Sequence, residues 1–392
     1  MRTWYVILAL LVLCASGSPS WAAGKNLIIG YLEFAEDPRY RETFVEARYP
    51  AQPWGRPLEG AVTAVGEARF AANAAGVELK LERRAVSRAE ELLPALDDLF
   101  ARGAQFFLLD LPGEMVAELA ARTRSKPVLL FNISALDDDL RQKKCQPHLM
   151  HIAPSRSMLT DALAQFLVFR KWRQLLVLKG SQPGDAEYYQ AFSRSAKRFG
   201  LVPKEVRDFT LGRDPRERSQ NNVALLTAGV DYDVLYVIDA HGEFARDVPY
   251  QGQKPQVVVG AAGLVADWWH WSWERHGAPQ VNKRFMKRAN RPMTGYDWSA
   301  WMSVKVIAEA LLRTGSADFK RLAAYIHGEE LRLDGTKGYP LTFRKWNNQL
   351  RQPIFLTTPD WVVMQAPLEG FLHSTNNLDT LGFDERENEC KF

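Results

Sequence analysis

Residues 106–132 read FFLLDLPGEMVAELAARTRSKPVLLFN. Two apolar runs, 106–111 and 127–132, flank a segment with helical spacing at 112–124. A strand without polar alternation must be covered on both faces, and a helix between two such strands indicates a parallel α/β sheet. The same grammar extends upstream. Residues 26–32 (NLIIGYL) read as a buried strand, 58–75 as an Ala-rich helix closed by Gly76, and 77–83 as an alternating strand. Ser87 is placed to N-cap a helix running to Arg102, with Gly103 closing it. Between the first strand and the first long helix lies a polar stretch, 33–57, with Pro38, Pro50, Pro53 and Pro57. It reads as a long arm carrying Glu33, Arg39, Arg41, Arg48, Trp54 and Arg56.

Downstream, a polar connector at 133–148 mixes Asp137, Asp138 and Asp139 with Arg141, Lys143 and Lys144, and reads as a crossing between domains. A second run of strands and helices follows. Strands are expected at 149–153, 174–180, 201–209, 233–240 and 256–261. Helices are expected from Ser155 to about Lys171, at 185–199 before Gly200, and at 215–228 before Gly229. Further helices are expected around 280–289 and 296–314, then a tail of short strands at 341–343, 353–358 and 360–366. The reading is two parallel α/β halves in series, with a tail that the pattern assigns to neither.

The ends and the composition bound the class. Arg2 followed by an apolar run at 5–14, with Ser20-Trp21-Ala22 behind it, has the form of a cleavable secretory signal over 1–22. Cys14 is a poor lipoprotein cysteine, because Leu13 precedes it. The net charge of +4 falls by one with Arg2, too little for a nucleic-acid partner. Cys145 and Cys390 remain after cleavage. In an exported protein they suggest one disulfide, with two free thiols as the alternative.

Asp267–Trp301 holds six of the twelve tryptophans: Trp268, Trp269, Trp271, Trp273, Trp298 and Trp301. Arg275, Lys283, Arg284, Lys287, Arg288 and Arg291 are interleaved. Flat rings beside cations suit a flat anionic ligand. Packing along a domain seam is the competing explanation. Trp268, Trp269 and Trp271 are expected at a cleft mouth, and Trp298 and Trp301 in a helix core.

Signatures of several enzyme classes are absent. There is no phosphate-cradling GxxxxGK[ST], no GxGxxG after the first strand and no GxSxG elbow. His148 and His151 would point to opposite faces of a strand, which speaks against a metal pair. His270 and His276 read as loop or interface residues. Glu33, Asp110 and Asp239 fall at C-terminal strand ends, where parallel sheets gather ligands. None has a partner at a catalytic spacing, and helix capping is the ordinary role for each.

Local patterns carry a resemblance. They are Asn26-Leu-Ile-Ile-Gly30, Leu58-Glu-Gly-Ala61, His151-Ile-Ala-Pro-Ser155, and Gly295-Tyr-Asp-Trp-Ser-Ala-Trp301 leading into Val306-Ile-Ala-Glu-Ala310. In this order they resemble the type I periplasmic substrate-binding proteins of ABC transporters, the leucine/isoleucine/valine-binding-like family. A narrower likeness rests on Asp37-Pro-Arg-Tyr40, Cys145, Trp268 to Glu274, Arg284-Phe285, Leu378-Asp-Thr-Leu-Gly-Phe383 and Cys390. These resemble substrate-binding proteins associated with alcohol catabolism dependent on pyrroloquinoline quinone (PQQ). Where amino-acid binders hold an α-carboxylate on a Ser/Thr-rich loop, this chain has Leu111-Pro112-Gly113 after Asp110.

The resemblance implies two Rossmann-like lobes joined by a three-crossing hinge near 145, 270 and 350. Lobe 1 would be 23–147 plus 275–350, and lobe 2 would be 148–274 plus 351–392. It implies a periplasmic, monomeric, non-enzymatic protein without a metal. The ligand would be PQQ, delivered to an inner-membrane ABC permease, with a PQQ-dependent dehydrogenase as a further partner. The implied ligand set is Tyr31, Glu33, Asn132, Tyr188 and Asp239, with Trp268, Trp269 and Trp271 for stacking. Arg39, Arg56, Arg141, Lys143, Lys179 and Arg291 would neutralise charge. Rivals are the same fold holding an aromatic or alcohol-derived carboxylate or an amino acid, a ligand sensor, and an exported enzyme.

Overall fold

The structure, a computed structural model, describes residues 25–211 and 220–392. The expected signal at 1–22 and the start of the helix expected at 215–228 lie outside them. Among the described residues no helix is long and apolar enough to cross a membrane.

The first run contains β1 (Lys25–Phe34), α1 (Glu42–Ala47), α2 (Leu58–Ala74), β2 (Val77–Val86) and α3 (Leu92–Ala101). It continues with β3 (Phe106–Asp110), α4 (Gly113–Arg122), β4 (Leu129–Asn132) and β5 (Leu149–His151). The five strands form one parallel sheet in the order β2-β1-β3-β4-β5. Its burial follows from strand geometry, since successive side chains take opposite faces. Phe106 and Leu108 of β3 enter one core, while Phe107 and Leu109 enter another. Consecutive apolar residues from Phe106 to Leu109 are therefore the mark of a two-sided sheet.

The strand expected to open the second half, 149–153, instead closes the first. Leu149, Met150 and His151 pair in parallel with Leu130, Phe131 and Asn132. The passage to the second lobe lies just after it. The arm at 33–57 is not wholly loop, since α1 and a helical turn at Pro38–Tyr40 interrupt it. Ser87 does not cap by its side chain; its backbone N–H donates to the Glu91 carboxylate at 3.1 Å.

The second run comprises α5 (Arg156–Phe169), β6 (Gln174–Lys179), α6 (Pro183–Phe199), β7 (Val202–Asp208), α7 (Val223–Leu226), β8 (Val234–Ile238), α8 (Val248–Gln251) and β9 (Val257–Gly260). Its parallel sheet has the order β7-β6-β8-β9. Ser155 caps α5 as expected, its hydroxyl accepting from Met158 N–H at 3.2 Å. Gly200 ends α6 in the left-handed conformation at φ 67°. β7 is exposed along nearly its whole length. Pro203 and Lys204 within it are residues that guard an unpaired sheet edge. Leu175 and Val177 of β6 join the same core as Phe106 and Leu108, so the inner layers of the two lobes are continuous.

The chain then forms β10 (Val265–Asp267) and returns to the first lobe as α9 (Ala278–Ala289), α10 (Gly295–Thr314) and α11 (Phe319–His327). Helices α10 and α2 pack closely because residue 60 is glycine. A Cβ there would lie 2.1 Å from the Asp297 carbonyl oxygen. Last come β11 (Leu333–Asp334), β12 (Pro340–Phe343), β13 (Leu350–Arg351), β14 (Ile354–Thr357) and β15 (Val362–Ala366). The tail strands β14 and β15 join β10 in an antiparallel sheet beside α5, which attaches them to the second lobe.

Three strands of chain cross between the lobes, at 152–155, 267–277 and 344–353. The first and third run side by side. Gln349 Nε2 donates to the His151 and Ala153 carbonyls at 3.2 and 3.1 Å, and Gln352 Nε2 to Ile152 at 2.6 Å. Arg141 crosses over both, donating to Gln349 Oε1 at 2.9 Å and to the carbonyls of Ala135, Asp137 and Ala153. Cys145 and Cys390 form the expected disulfide.

Candidate ligand cleft

The C-terminal ends of strands from both sheets converge between the lobes. The arm after β1 spans this junction. Gln52 Nε2 donates to the Ala240 carbonyl beyond β8 at 3.0 Å, Phe44 lies 5.6 Å from the His241 ring, and Tyr49 packs on Gly242.

On the first-lobe side the centre is Asp110, fully buried at the end of β3. Its carboxylate accepts from Tyr40 Oη at 2.7 Å and Tyr31 Oη at 3.4 Å. Arg39 and Arg56 approach it at 3.5 and 3.6 Å. Burial holds the Asp110 carboxyl above the usual range, with the Arg39 charge opposing. The Arg56 guanidinium lies 4.0 Å from the Tyr40 ring centroid, and that of Arg39 lies 5.7 Å from the Tyr296 ring. The arm thus supplies a cationic and aromatic lining beside Leu111-Pro112-Gly113.

On the second-lobe side stand Arg156, Glu187 and Tyr188. Arg156 begins α5, pairs with Glu187 at 3.5 Å and lies 5.9 Å from the Tyr188 ring. Burial pushes the Tyr188 hydroxyl up to about 12. The charge of Arg156 also lowers the Tyr296 hydroxyl across the junction, against a larger upward push from burial. Among the described residues two buried guanidinium nitrogens of this region make no hydrogen bond, Arg156 Nε and Arg56 Nη1, the latter lying 3.6 Å from Asp110 Oδ2. One comes from each side.

Of the expected ligand residues, Tyr31, Arg39, Arg56 and Tyr188 are brought together here. Others are taken up by the fold. Glu33 is buried against Arg83. Asn132 holds a turn, accepting from Ala135 N–H at 2.9 Å and donating to its carbonyl. Asp239 caps the following loop through His241 and Ala245 N–H groups. Arg141 is buried in the crossing, and that burial lowers its guanidinium to about 10. Lys179 pairs with Asp208 at 3.1 Å. Lys143 is exposed on the rim of a polar groove with Asp137 and Glu114. Arg291 is bidentate to Asp297 at 2.7 and 2.8 Å.

The tryptophan stretch proves to be mainly a seam. Trp268 and Trp269 are both 0% exposed, which leaves Trp268 no face for a ligand. Their indole N–H groups donate to Ser299 and Asn282 at 2.9 and 3.0 Å. Trp298, Trp301 and Trp273 likewise find Gly335, Glu67 and Thr336. Trp271 alone of the six is exposed, at 39%. Tyr40, Arg156 and Tyr296 were not among the expected ligand residues. Tyr40 and Tyr296 lay inside motifs quoted for the resemblance, and Arg156 follows the Pro-Ser helix start, which marks a strand end facing a cleft.

Asp267, at the start of the seam, has its carboxyl pushed up to about 7 by burial, against backbone donors and Lys337. Unfolded Asp titrates near ~3.9. A raised folded value means this contribution to stability is complete below that point and is lost as pH rises through about 7. Asp267→Asn is therefore expected to gain on the native protein by a few kcal/mol, on the order of 2–4, between pH 4 and pH 8. Urea melts across that range check it; parallel curves would contradict it.

The fold has solved counterparts. A branched-chain amino acid ABC transporter periplasmic ligand-binding protein from Burkholderia xenovorans LB400 matches with a TM-score of 0.68 at 14% identity, covering 86% of this chain and 95% of that one. An ABC transporter solute-binding protein from R. palustris, in complex with benzoate, matches with a TM-score of 0.66 at 12% identity, covering 94% and 100%. A leucine-, isoleucine-, valine-, threonine- and alanine-binding protein from Brucella ovis in a closed conformation gives 0.64 at 14%, covering 85% and 89%. No protein-family model and no curated protein matches the sequence. At these identities the likeness speaks for architecture, and the chain has the two-lobed α/β fold of the type I periplasmic binding proteins.

Proposed function

We propose that this protein is the solute-binding component of an ABC-type importer in the periplasm, and that it holds a small planar anion between its lobes. The observation that carries this reading is a pair of buried guanidinium nitrogens that make no hydrogen bond among the described residues, Arg156 Nε and Arg56 Nη1, the latter with only Asp110 Oδ2 near it at 3.6 Å. A buried N–H on a charged group that lacks a partner is costly, and an anionic acceptor bound between the lobes would satisfy both. The rings of Tyr40, Tyr188 and Tyr296 offer flat surfaces beside these cations. Hinge closure would bring Arg156 of α5 toward Arg56 and present both lobes to a permease, with no chemical step.

PQQ is the specific ligand put forward. It is planar and carries three carboxylates, so it suits arginines on two sides. A simple aromatic carboxylate is the second reading, since one carboxylate suffices to pair with a single guanidinium beside an aromatic ring. The R. palustris neighbour was solved in complex with benzoate.

The test is a thermal-shift and tryptophan-fluorescence titration with PQQ, benzoate and leucine. A ligand present at about 100 times its Kd stabilises by about 2.7 kcal/mol, a rise of several degrees. Arg156→Ala is expected to weaken anion binding at least about tenfold. A shift with leucine alone, or equal affinity in Arg156→Ala, would overturn the anion assignment.

A further inference from the structure

Apart from the Arg56 and Arg156 junction, a cavity of ≈ 120 Å³ lies under the arm, against the second crossing. Trp54, Trp269, Trp271 and Met293 give it apolar walls, and Asp267 and Arg48 line it as well. Neither Arg56, Arg156, Asp110 nor Tyr188 contributes to it. We propose that this cavity is a second binding site, for a single aromatic ring bearing one uncharged hydrogen-bonding group, such as a phenol.

Size comes first. A cavity of about 150 Å³ accepts a benzene ring, while one water needs only about 10–15 Å³. This space is therefore that of one ring or several waters.

The walls favour the ring. The Trp54 and Trp269 indole N–H groups are already bonded, to the Tyr49 carbonyl at 3.1 Å and to Asn282 at 3.0 Å. Trp54, partly exposed, turns ring surface toward the cavity, and Trp269, with no accessible surface, backs the wall behind it. Trp271, half-exposed at the rim, adds a third ring. Flat apolar walls of this kind select an aromatic guest by offset or edge-to-face contact.

The polar group of the guest is specified by Asp267. That residue is only 6% exposed, yet it lines the cavity. Its Oδ1 accepts from Trp269 N–H at 3.2 Å. The Trp268 backbone N–H also donates to this carboxyl, which still borders the space as part of its lining. A hydroxyl on the guest adds a donor to it. Charge on the guest is disfavoured in either sense. A carboxylate would meet Asp267, and an ammonium would meet Arg48, whose guanidinium lies 5.8 Å from the Trp54 ring and makes no ion pair among the described residues.

The cavity is assembled from both lobes. The arm residues and Met293 belong to the first, while Thr357 and Pro359 close it from the second-lobe tail. A guest contacting both sides favours the arrangement in which they meet, and so couples to lobe closure.

The experiment uses the intact chain with phenol at millimolar concentration, read by saturation-transfer NMR. Benzoate and benzylamine serve as the charged counterparts. Phenol is expected to receive saturation and the charged rings to receive less. Trp271→Ala is expected to weaken phenol about tenfold. Thr358→Trp, which fills the mouth from a partly exposed position, is expected to abolish the transfer. Arg156→Ala is expected to leave phenol binding unchanged, so the outcome is separate from that of the anion site. Absence of transfer to phenol in the native protein, or equal transfer in Thr358→Trp, overturns the proposal. Displacement of phenol by anions with loss in Arg156→Ala would also overturn it, by placing phenol in the junction.

Discussion

Replacing Asp379 by Ala is expected to destabilise the protein by about 3–5 kcal/mol. The carboxylate is fully buried and faces two guanidinium groups. Arg344 Nε approaches Oδ1 at 2.8 Å, and Arg351 Nε reaches both oxygens at 2.9 Å. Arg344 is itself buried to within 1%. With Asp379 gone it keeps the carbonyls of Leu378 and Leu381 but loses its counter-charge. A buried charge left alone costs more than the pair was worth. Because Arg344 and Arg351 sit on the third crossing, the tail would also come loose there. Urea melts measure the first effect, and trypsin cleavage after residue 367 the second. A loss below about 1 kcal/mol would mean that water reaches Arg344.

Asp110→Ala is expected to cost about 2–4 kcal/mol and to free the arm. It removes the acceptor of Tyr40 and the counter-charge of Arg56, and it leaves Arg39 with Asp37 alone, at 2.6 Å. The cost is set below that of Asp379 because Arg39 and Arg56 side chains are 20% and 24% exposed and can rehydrate. The raised carboxyl of Asp110 shows that burial of its charge is itself unfavourable. Asp110→Asn, which retains an acceptor for Tyr40, is therefore expected to lose less. Hydrogen exchange over 35–57 should rise in the Ala variant and little in the Asn variant. Equal exchange in both would indicate that Gln52 and Tyr49 alone hold the arm.

The two sheets were legible in the sequence because their strands are apolar at consecutive positions. Phe106 to Leu109 leave no other arrangement than a covered strand. The elements missed were of two kinds. Val265–Asp267 is too short to show a period, and it becomes a strand only because Leu356 pairs with Ala266. Phe319–His327 has its buried residues at Leu322 and Ile326, a spacing of four that a nine-residue helix shows only once. The site was less legible. Arg39 and Arg141 are both arginines in polar stretches. One lines the junction, and the other is buried because Gln349, 208 positions away, supplies its acceptor. Likewise the tryptophan count said nothing of the indole partners. Ser299, Asn282 and Gly335 decide that those rings are packing, and they lie 31, 13 and 37 positions from the indoles whose N–H they accept.

The bond between Cys145 and Cys390 spans 245 positions. Between them lie the whole second lobe and also α9, α10 and α11 of the first. The covalent ring therefore does not map onto one lobe. In chain-entropy terms a ring of this size restricts the denatured ensemble by roughly 5 kcal/mol. That contribution is shared by segments of both lobes and is collected only when all of them disorder. It acts on cooperativity as much as on stability. The ring therefore ties the two lobes covalently where their inner layers already share one core.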